Sequence, residues 1–350
     1  MNERIRVLVC DDSLFMRAAV KKLLAKDARI EIIGEAKDGR DAVDKALALR
    51  PDVCTMDFNM PNLDGAGAVR AIMAQRPTPI VMVSAHTKEG ARETFEAIAA
   101  GAVDFVTKPS GEVSAELGAV GAELLAKVIA AAGAKPQAMI APAAKQARPR
   151  LTGPRTIISA GGVSIVGPKV VVVAISTGGP AALAQFLPML PADTSLAIVV
   201  VQHLPAGFTQ ALAERLDSIC EVRVREAKDG DKPEPGLVLV APGDKHLNVD
   251  EHGVLRVVDG PEVNGVRPSA DVTMVAAARV YGRRTVGVVM TGMGKDGSDG
   301  LRAIKEHGGV TLAQDQLSSV IWGMPRAAVD AGLVDHVVPL AQLAEAVRKA

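Results

Sequence analysis

Apolar residues along the chain fall in short β-branched runs, separated by stretches in which they recur every three or four positions. In the first part the runs are Ile5–Cys10, Glu31–Gly34, Val53–Met56, Ile80–Ser84 and Val103–Val106. Helix-period segments lie among them, for example Leu14–Ala25 and Asp41–Leu49, with a last one at about Ser114 to Ala131. Five such strand–helix units predict a parallel sheet covered on both faces. The pattern resumes at Lys169. Strands are predicted at Lys169–Ile175, Leu196–Gln202, Leu237–Ala241, Thr285–Met290, Val310–Ala313 and Val334–Val338. Helices are predicted at about Pro180–Leu187, Thr209–Ser218, Val272–Val280, Gly297–Glu306 and Pro325–Asp330, again an α/β arrangement. The two halves share this general pattern without a clear internal repeat.

Between them, residues 133–168 hold five prolines, many alanines, five basic residues and no acidic one. That is the composition of a semi-extended tether. The expected division is therefore 1–132, a linker 133–168, and 169–350. With 350 residues, two domains of ordinary size are expected.

Charge narrows the function. Forty basic residues balance forty acidic ones over the whole chain. Residues 1–132 carry 17 basic against 19 acidic groups and residues 169–350 carry 18 against 21, so neither half has the basic surface that nucleic acid needs. Aromatics make up only 2%, which disfavours stacking platforms. Cys10, Cys54 and Cys220 are too few and too scattered for a disulfide framework or a zinc site. The start, MNERIRVLVC, lacks the apolar run of a signal peptide, and no apolar stretch reaches membrane-spanning length. A cytoplasmic protein with no membrane insertion is expected.

Chemistry-bearing residues sit where the strands end. In the first half Asp11 and Asp12 follow strand one, Asp57 follows strand three, Ser84 ends strand four and Lys108 follows strand five. A parallel sheet brings all of these to its carboxyl edge, where open α/β folds bind ligands. Three crowded carboxylates repel one another, and a hard divalent cation such as Mg2+ resolves the conflict. Lys108 could hold a phosphoryl oxygen, and an aspartate beside such a cation can attack a phosphoryl donor. Acidic strand ends alone are usually solvated caps. Five residues of matching chemistry at the strand ends are not.

The stretches VLVCDDS, TMDFNMPNLDG, IVMVSA and DFVTKP resemble the receiver domain of two-component response regulators over about residues 4–130. The resemblance implies a flavodoxin-like receiver with a five-stranded parallel sheet. It implies Asp57 as phosphoacceptor and a Mg2+ site of Asp11, Asp12, Asp57 and the backbone carbonyl of Asn59. Ser84, Phe105 and Lys108 are implied as the residues that respond to the phosphoryl group, with Ser84 in place of the commoner threonine. A sensor histidine kinase is the implied phosphodonor.

In the second half, Lys169–Ile175 runs into Ser176-Thr177-Gly178-Gly179-Pro180, placing Ser176 between a strand end and a helix start. Backbone N–H groups at such a point can hold an oxyanion. The motif is not G-x-S-x-G, and alone it reads more often as a helix cap with a glycine turn. His203 ends the next strand and could serve as general base, although most such histidines are loop residues. Asp296 and Asp299 lie in TGMGKDGSDG after a third strand; either could orient a histidine, and glycine-flanked aspartates are usually turn residues. Serine, histidine and aspartate following three parallel strands can converge on one crevice. A competing reading is Gly292-Met293-Gly294-Lys295-Asp296-Gly297, which matches G-x-G-x-x-G with Asp315 beyond it. That would make the half a dinucleotide-dependent oxidoreductase, but leaves Ser176 and His203 unused. A non-catalytic scaffold is the third reading.

AISTGGP, VQHLPAGFT, APGDKHL, RPSADV, GVVMTGMGKDG and WGMPRAA resemble the catalytic domain of chemotaxis protein-glutamate methylesterases of the CheB type, over about residues 170–340. The resemblance implies a doubly wound, Rossmann-like α/β domain. It implies Ser176 as nucleophile, His203 as base, Asp296 as its orienting acid, the Met293 amide as an oxyanion donor and Thr177 as a residue positioning the histidine. It also implies demethylation of glutamate methyl esters and deamidation of glutamines on methyl-accepting chemotaxis receptors, with no cofactor for the esterase. In that family GMGKDG is not a cofactor loop. Ala206, where proline is frequent, and the long linker are the departures. The domain order implies that phosphorylation of Asp57 uncovers the second crevice. Of the remaining candidates, His246 reads as a packing residue, Arg267 equally as a substrate or a loop contact, and Trp322 and Met324 as buried cleft residues.

Overall fold

The structure is a computed structural model and describes residues 4–85, 87–108, 114–134 and 167–350. It divides into two compact units, 1–141 and 142–350. Most of the expected linker lies outside the described residues.

The first unit runs β1 (Ile5–Cys10), α1 (Leu14–Leu24), β2 (Ile30–Ala36), α2 (Gly39–Leu49), β3 (Val53–Asp57), α3 (Gly65–Gln75), β4 (Ile80–Ser84), α4 (Lys88–Ala99), β5 (Asp104–Thr107) and α5 (Ser114–Ala132). The sheet order is β2-β1-β3-β4-β5, all parallel. The apolar runs of β1, β3 and β4 are buried because helices cover both faces. Four helices start on side chains that cap their first amides: Ser13, Asp38, Asp64 and Thr87.

The second unit runs β6 (Lys169–Ile175), α6 (Gly179–Phe186), β7 (Leu196–Gln202), α7 (Phe208–Ile219), β8 (Arg223–Glu226), β9 (Leu237–Val240), β10 (His246–Val249), β11 (Leu255–Val258), α8 (Ala270–Tyr281), β12 (Thr285–Val289), α9 (Ser298–Glu306), β13 (Val310–Gln314), α10 (Met324–Asp330), β14 (His336–Val338) and α11 (Leu340–Lys349). Seven parallel strands order as β14-β13-β12-β6-β7-β9-β8, and β10 and β11 form a separate antiparallel hairpin. The chain starts at β6, builds outward through β7, then returns to β12 on the other side. The order reverses at β6, which opens a crevice at its carboxyl end.

Strand ends differ from the sequence reading by a residue or two, as hydrogen bonding rather than pattern sets them. The reading also left out β8, β10, β11 and α11. β8 (Arg-Val-Arg-Glu) is a charged edge strand with one buried side chain, so it carries little apolar signal. The β10–β11 hairpin is four residues per strand. By contrast α11 had a readable stripe: Leu340, Leu343, Ala344 and Val347 are its buried face. All three cysteines are buried and outside any disulfide among the described residues, and burial pushes the Cys54 thiol up to about 12.

The core of the second unit is built from β6, β7, β9 and α8, with Val172, Val199, Leu239, Met274 and Leu301 among its fully enclosed side chains. Leu239→Ala should lower the stability of this unit by about 2–5 kcal/mol through lost burial and a residual cavity. The one tryptophan, Trp322, belongs to this unit, so its fluorescence during denaturant unfolding reads the change. A shift well under about 1 kcal/mol would contradict close packing at this position.

Candidate functional site

In the first unit three acidic side chains meet at the carboxyl edge. Asp11, Asp12 and Asp57 each offer an oxygen, and these oxygens lie within 4.8 Å of one another. Lys108 reaches across, with Nζ 2.8 Å from Asp57 Oδ1 and 3.1 Å from Asp11 Oδ2. The Lys108 backbone N–H donates to the Ser84 carbonyl at 2.6 Å, which joins the ends of β4 and β5. Arg17 ties down the acidic loop by donating to the Asp11 and Asp12 carbonyls.

Burial pushes the Asp57 carboxyl up, with Asp11 adding to the rise and Lys108 opposing it. Burial would lower Lys108, yet Asp57 and Asp11 raise it. Lys108 stays charged in this ion pair, held by Asp57 and by the Asp11 carboxylate that Asp57 also faces. Asp11 Oδ2 is buried and makes no aligned hydrogen bond, although Lys108 is within ion-pair range. A cluster of hard oxygen donors with such an atom suits a divalent cation of the Mg2+ type.

The other first-unit candidates stand close by in sequence but face different partners. Ser84 Oγ donates to the Gly90 carbonyl in the first turn of α4. The Asn59 side chain donates to Glu93 on the same helix. Phe105 is buried edge-on against Phe95, at 6.3 Å between centroids, with Lys127 Nζ over its ring at 5.3 Å.

In the second unit the parallel register sets up the site. Ile175 pairs with Gln202 and Ala174 with Val289, so the residues just beyond these ends stand side by side. Ser176 therefore lies between His203 and Thr291. The Ser176 N–H donates to the Thr291 carbonyl at 3.0 Å, and the His203 N–H to the Ile175 carbonyl at 3.1 Å. Gln202 Nε2 donates to the Ser176 carbonyl at 3.0 Å.

Asp296 completes the constellation. Its Oδ2 lies 2.8 Å from His203 Nε2, joining positions 93 residues apart. Asp296 is 3% exposed and takes donors on both oxygens: the Ser269 hydroxyl at 2.5 Å and Asn264 Nδ2 at 3.1 Å on Oδ1, and the Ala270 N–H at 2.6 Å on Oδ2. Burial alone would raise this carboxyl. His203, Ser269 and Ala270 outweigh it and hold the group down to about 2. Asp299 makes no such contact with His203 and pairs loosely with Arg302 instead.

Helices α6, α7 and α9, which follow the three site strands, begin on Gly178, Gly207 and Gly297 at φ of 76°, 82° and 93°. The glycines supply no capping side chain, in contrast to the first unit, although Asp271 Oδ1 accepts the Gly300 N–H in the first turn of α9 at 2.7 Å. Gly292 is where this loop touches Ser176: a Cβ there would sit 2.8 Å from the Ser176 Cβ and 2.4 Å from Met324 Sδ. Met293 follows on this loop. Thr177 is buried, and its carbonyl accepts from Thr291 Oγ1 at 2.9 Å. The glycines of 292–297 thus pack the loop against Ser176 and aim Asp296 at His203. That is not the use a dinucleotide would make of them.

His246 is buried, with Nδ1 accepting the Ser269 N–H at 3.2 Å and Nε2 2.9 Å from the Pro261 carbonyl. It fastens the loop that carries the Asp296 donors. Arg267 donates to the Gly260 carbonyl, the loop contact of its two readings. The sequence reading missed Asn264, Ser269 and Asp271. The RPSADV segment and the Asn264-Gly265 pair, flanked by valines, were the available signals.

Two family models match the chain: CheB methylesterase over residues 171–347 and response regulator receiver domain over residues 7–116. A protein-glutamate methylesterase/protein-glutamine glutaminase of Symbiobacterium thermophilum is 47% identical over 352 residues, covering 99% of this chain and 97% of that protein. One from Pyrococcus horikoshii is 42% identical and covers 100% of this chain and 94% of that protein. The crystal structure of the Thermotoga maritima CheB methylesterase catalytic domain superposes with a TM-score of 0.51 at 42% identity, covering 53% of this chain and 99% of that domain.

The buried pair Asp271 and Asp296 generates a pH prediction. Burial pushes Asp271 up to about 6, helped by the neighbouring Asp296 charge. Its folded-state value exceeds that of an unfolded aspartate, about 3.9. Its stabilising contribution is therefore complete below about pH 4 and is lost as pH rises to about 6, whereas Asp296, shifted downward, loses its contribution only on further acidification. Over that window Asp271→Asn should flatten the decline of stability by on the order of 2 kcal/mol, read by Trp322 fluorescence in denaturant. Parallel profiles for variant and parent would contradict it.

Proposed function

The chain belongs to the CheB methylesterase family and carries a response-regulator receiver domain ahead of it, and we propose that Ser176, His203 and Asp296 carry out its chemistry. It is a receiver-controlled protein-glutamate methylesterase and protein-glutamine glutaminase of chemotaxis. The dinucleotide-dependent oxidoreductase reading is not supported.

The contact that carries the proposal is His203 Nε2 on Asp296 Oδ2 at 2.8 Å, with Ser176 on the neighbouring strand end. Asp296 is ionised at working pH, so Nε2 keeps its proton and donates it to the carboxylate. Nδ1 is left as the free base. It takes the Ser176 proton as Oγ attacks the ester carbonyl, and returns it to the departing methanol. Water then hydrolyses the acyl-enzyme by the same relay, leaving glutamate. With a glutamine side chain the leaving group is ammonia. The oxyanion is held by backbone N–H groups at the glycine turns, the Met293 amide among them, and Thr177 supports the histidine.

In the first unit Asp57 is the phosphoacceptor. Asp11, Asp12, Asp57 and the Asn59 carbonyl would hold Mg2+, which would supply positive charge to offset that of phosphoryl oxygens. Lys108 contacts the phosphoryl group, and Ser84 and Phe105 respond to it by leaving the partners described above. The phosphodonor is a histidine kinase and the substrates are receptor glutamates. The functional division is 1–132 as receiver, 133–168 as tether and 169–350 as esterase. No helix among the described residues is long and apolar enough to cross a membrane. We place the protein in the cytoplasm, where those partners are reached without membrane insertion or nucleic acid.

Methanol release from a methylated receptor tests the esterase site. Ser176→Ala should lose about a thousandfold or more of the rate, and Asp296→Asn a comparable amount through the wrong histidine tautomer. Wild-type release by Ser176→Ala would overturn the assignment, and release absent from the parent would favour the scaffold. For the receiver, a small-molecule phosphodonor with Mg2+ should raise the rate of the parent and leave Asp57→Asn unchanged. Equal stimulation of both would remove Asp57 as the acceptor.

A further inference from the structure

The orienting carboxylate is held by more than its histidine, and one of its holders comes from a turn that no expectation above included. Val263 and Val266 exchange backbone hydrogen bonds at 3.1 Å, closing a two-residue hairpin. Asn264 and Gly265 occupy it at φ of 56° and 73°, the left-handed pair that Asn-Gly adopts readily. This turn swings the Asn264 side chain over two buried carboxylates. Nδ2 lies 2.7 Å from Asp271 Oδ2 and 3.1 Å from Asp296 Oδ1. An amide nitrogen has two N–H donors, and both are used.

We propose that Asn264 is a positioning residue for the hydrolytic site, its amide fixing the plane of the Asp296 carboxylate and bridging it to Asp271. The inference rests on the assignment of Asp296 as orienting acid. Oδ1 of Asp296 is held by Ser269 and Asn264, with the Asp271 N–H more distant at 3.4 Å, and Oδ2 serves Ala270 and His203. Loosening the Oδ1 side lets the carboxylate rotate about its stem and takes Oδ2 out of line with the imidazole. Asn264 also supplies the donor that lies between two like charges. The titratable groups around this point are His203 at the end of β7, Asp271 in the first turn of α8, Asp299 in the first turn of α9, and His246 on β10, which acts through the Ser269 amide.

The test uses the full chain and a receptor fragment bearing glutamate methyl esters, with kcat and KM read from methanol release. Asn264→Gly and Asn264→Asp both suit a left-handed turn, so the hairpin survives either change. Asn264→Gly should lower kcat about tenfold, the effect of one charge-assisted hydrogen bond, with KM unchanged and under conditions where the variant, although its unfolding midpoint is lower, is still fully folded. Asn264→Asp accepts rather than donates until it is protonated. Its kcat relative to the parent should be lowest near pH 8 and climb toward pH 6, as a proton shared among the three carboxylates restores a donor (values about those of perturbed acids). An Asn264→Gly kcat within about twofold of the parent, or an Asn264→Asp ratio flat with pH, would overturn the inference. So would a loss that merely follows the folded fraction. Ser176→Ala runs alongside: if it stays active, the triad assignment itself fails, whereas an inactive Ser176→Ala with a normal Asn264→Gly removes Asn264 alone.

Discussion

A carboxylate that stays ionised inside a protein must be solvated by the protein. Asp296, 3% exposed, meets that requirement with a hydroxyl, two backbone amides, a side-chain amide and an imidazole. Most of the local architecture of the second unit supports these donors. The start of α8 supplies the Ala270 N–H and its cap residue Ser269. The Asn264 hairpin stands over them, and His246 fastens Ser269 from below. The imidazole of His203 is one partner among five. Its orientation follows from the neutralisation of a buried charge.

The first unit faces the opposite problem on the same kind of sheet edge. Asp11, Asp12 and Asp57 crowd together, and Lys108 is the positive group within reach of two of them. Here the negative charge is left under-compensated, which suits a cation and a phosphoryl group that come and go. The helix starts follow the same division. In the first unit Ser13, Asp38, Asp64 and Thr87 cap helix amides with their own side chains, while α6, α7 and α9 begin on glycine and turn their first amides back to loop carbonyls. Parallel sheets collect loops at one edge in both units. What differs is whether the loops bring excess charge or excess donors.

Much of this was readable before any coordinates. The buried β-branched runs of β1, β3, β4, β6, β7 and β12 announce parallel strands, because a strand covered on both faces has no polar side to interrupt it. Strand ends then mark where chemistry can collect. Asp11, Asp57 and Lys108, and likewise Ser176, His203 and Asp296, stand at such ends. Charged β8 carried little apolar signal, and β10 and β11, although Leu247, Val249 and Leu255 are buried, are four residues each, too short to show a pattern.

Which polar groups touch is a separate matter, decided by register and loop closure. Local pattern could not choose between Asp296 and Asp299, three positions apart in one glycine-rich loop; the tight packing of Gly292 against Ser176 and Met324 turns the first toward His203 and leaves the second at the surface. Nor could it assign Asn264 or Ser269, which are ordinary turn and cap residues until folding brings a carboxylate from 32 and 27 positions away. Burial patterns are short-range and written in composition and spacing. The donors of a buried charge come from wherever the folded chain places them, so they become visible only once the loops have closed.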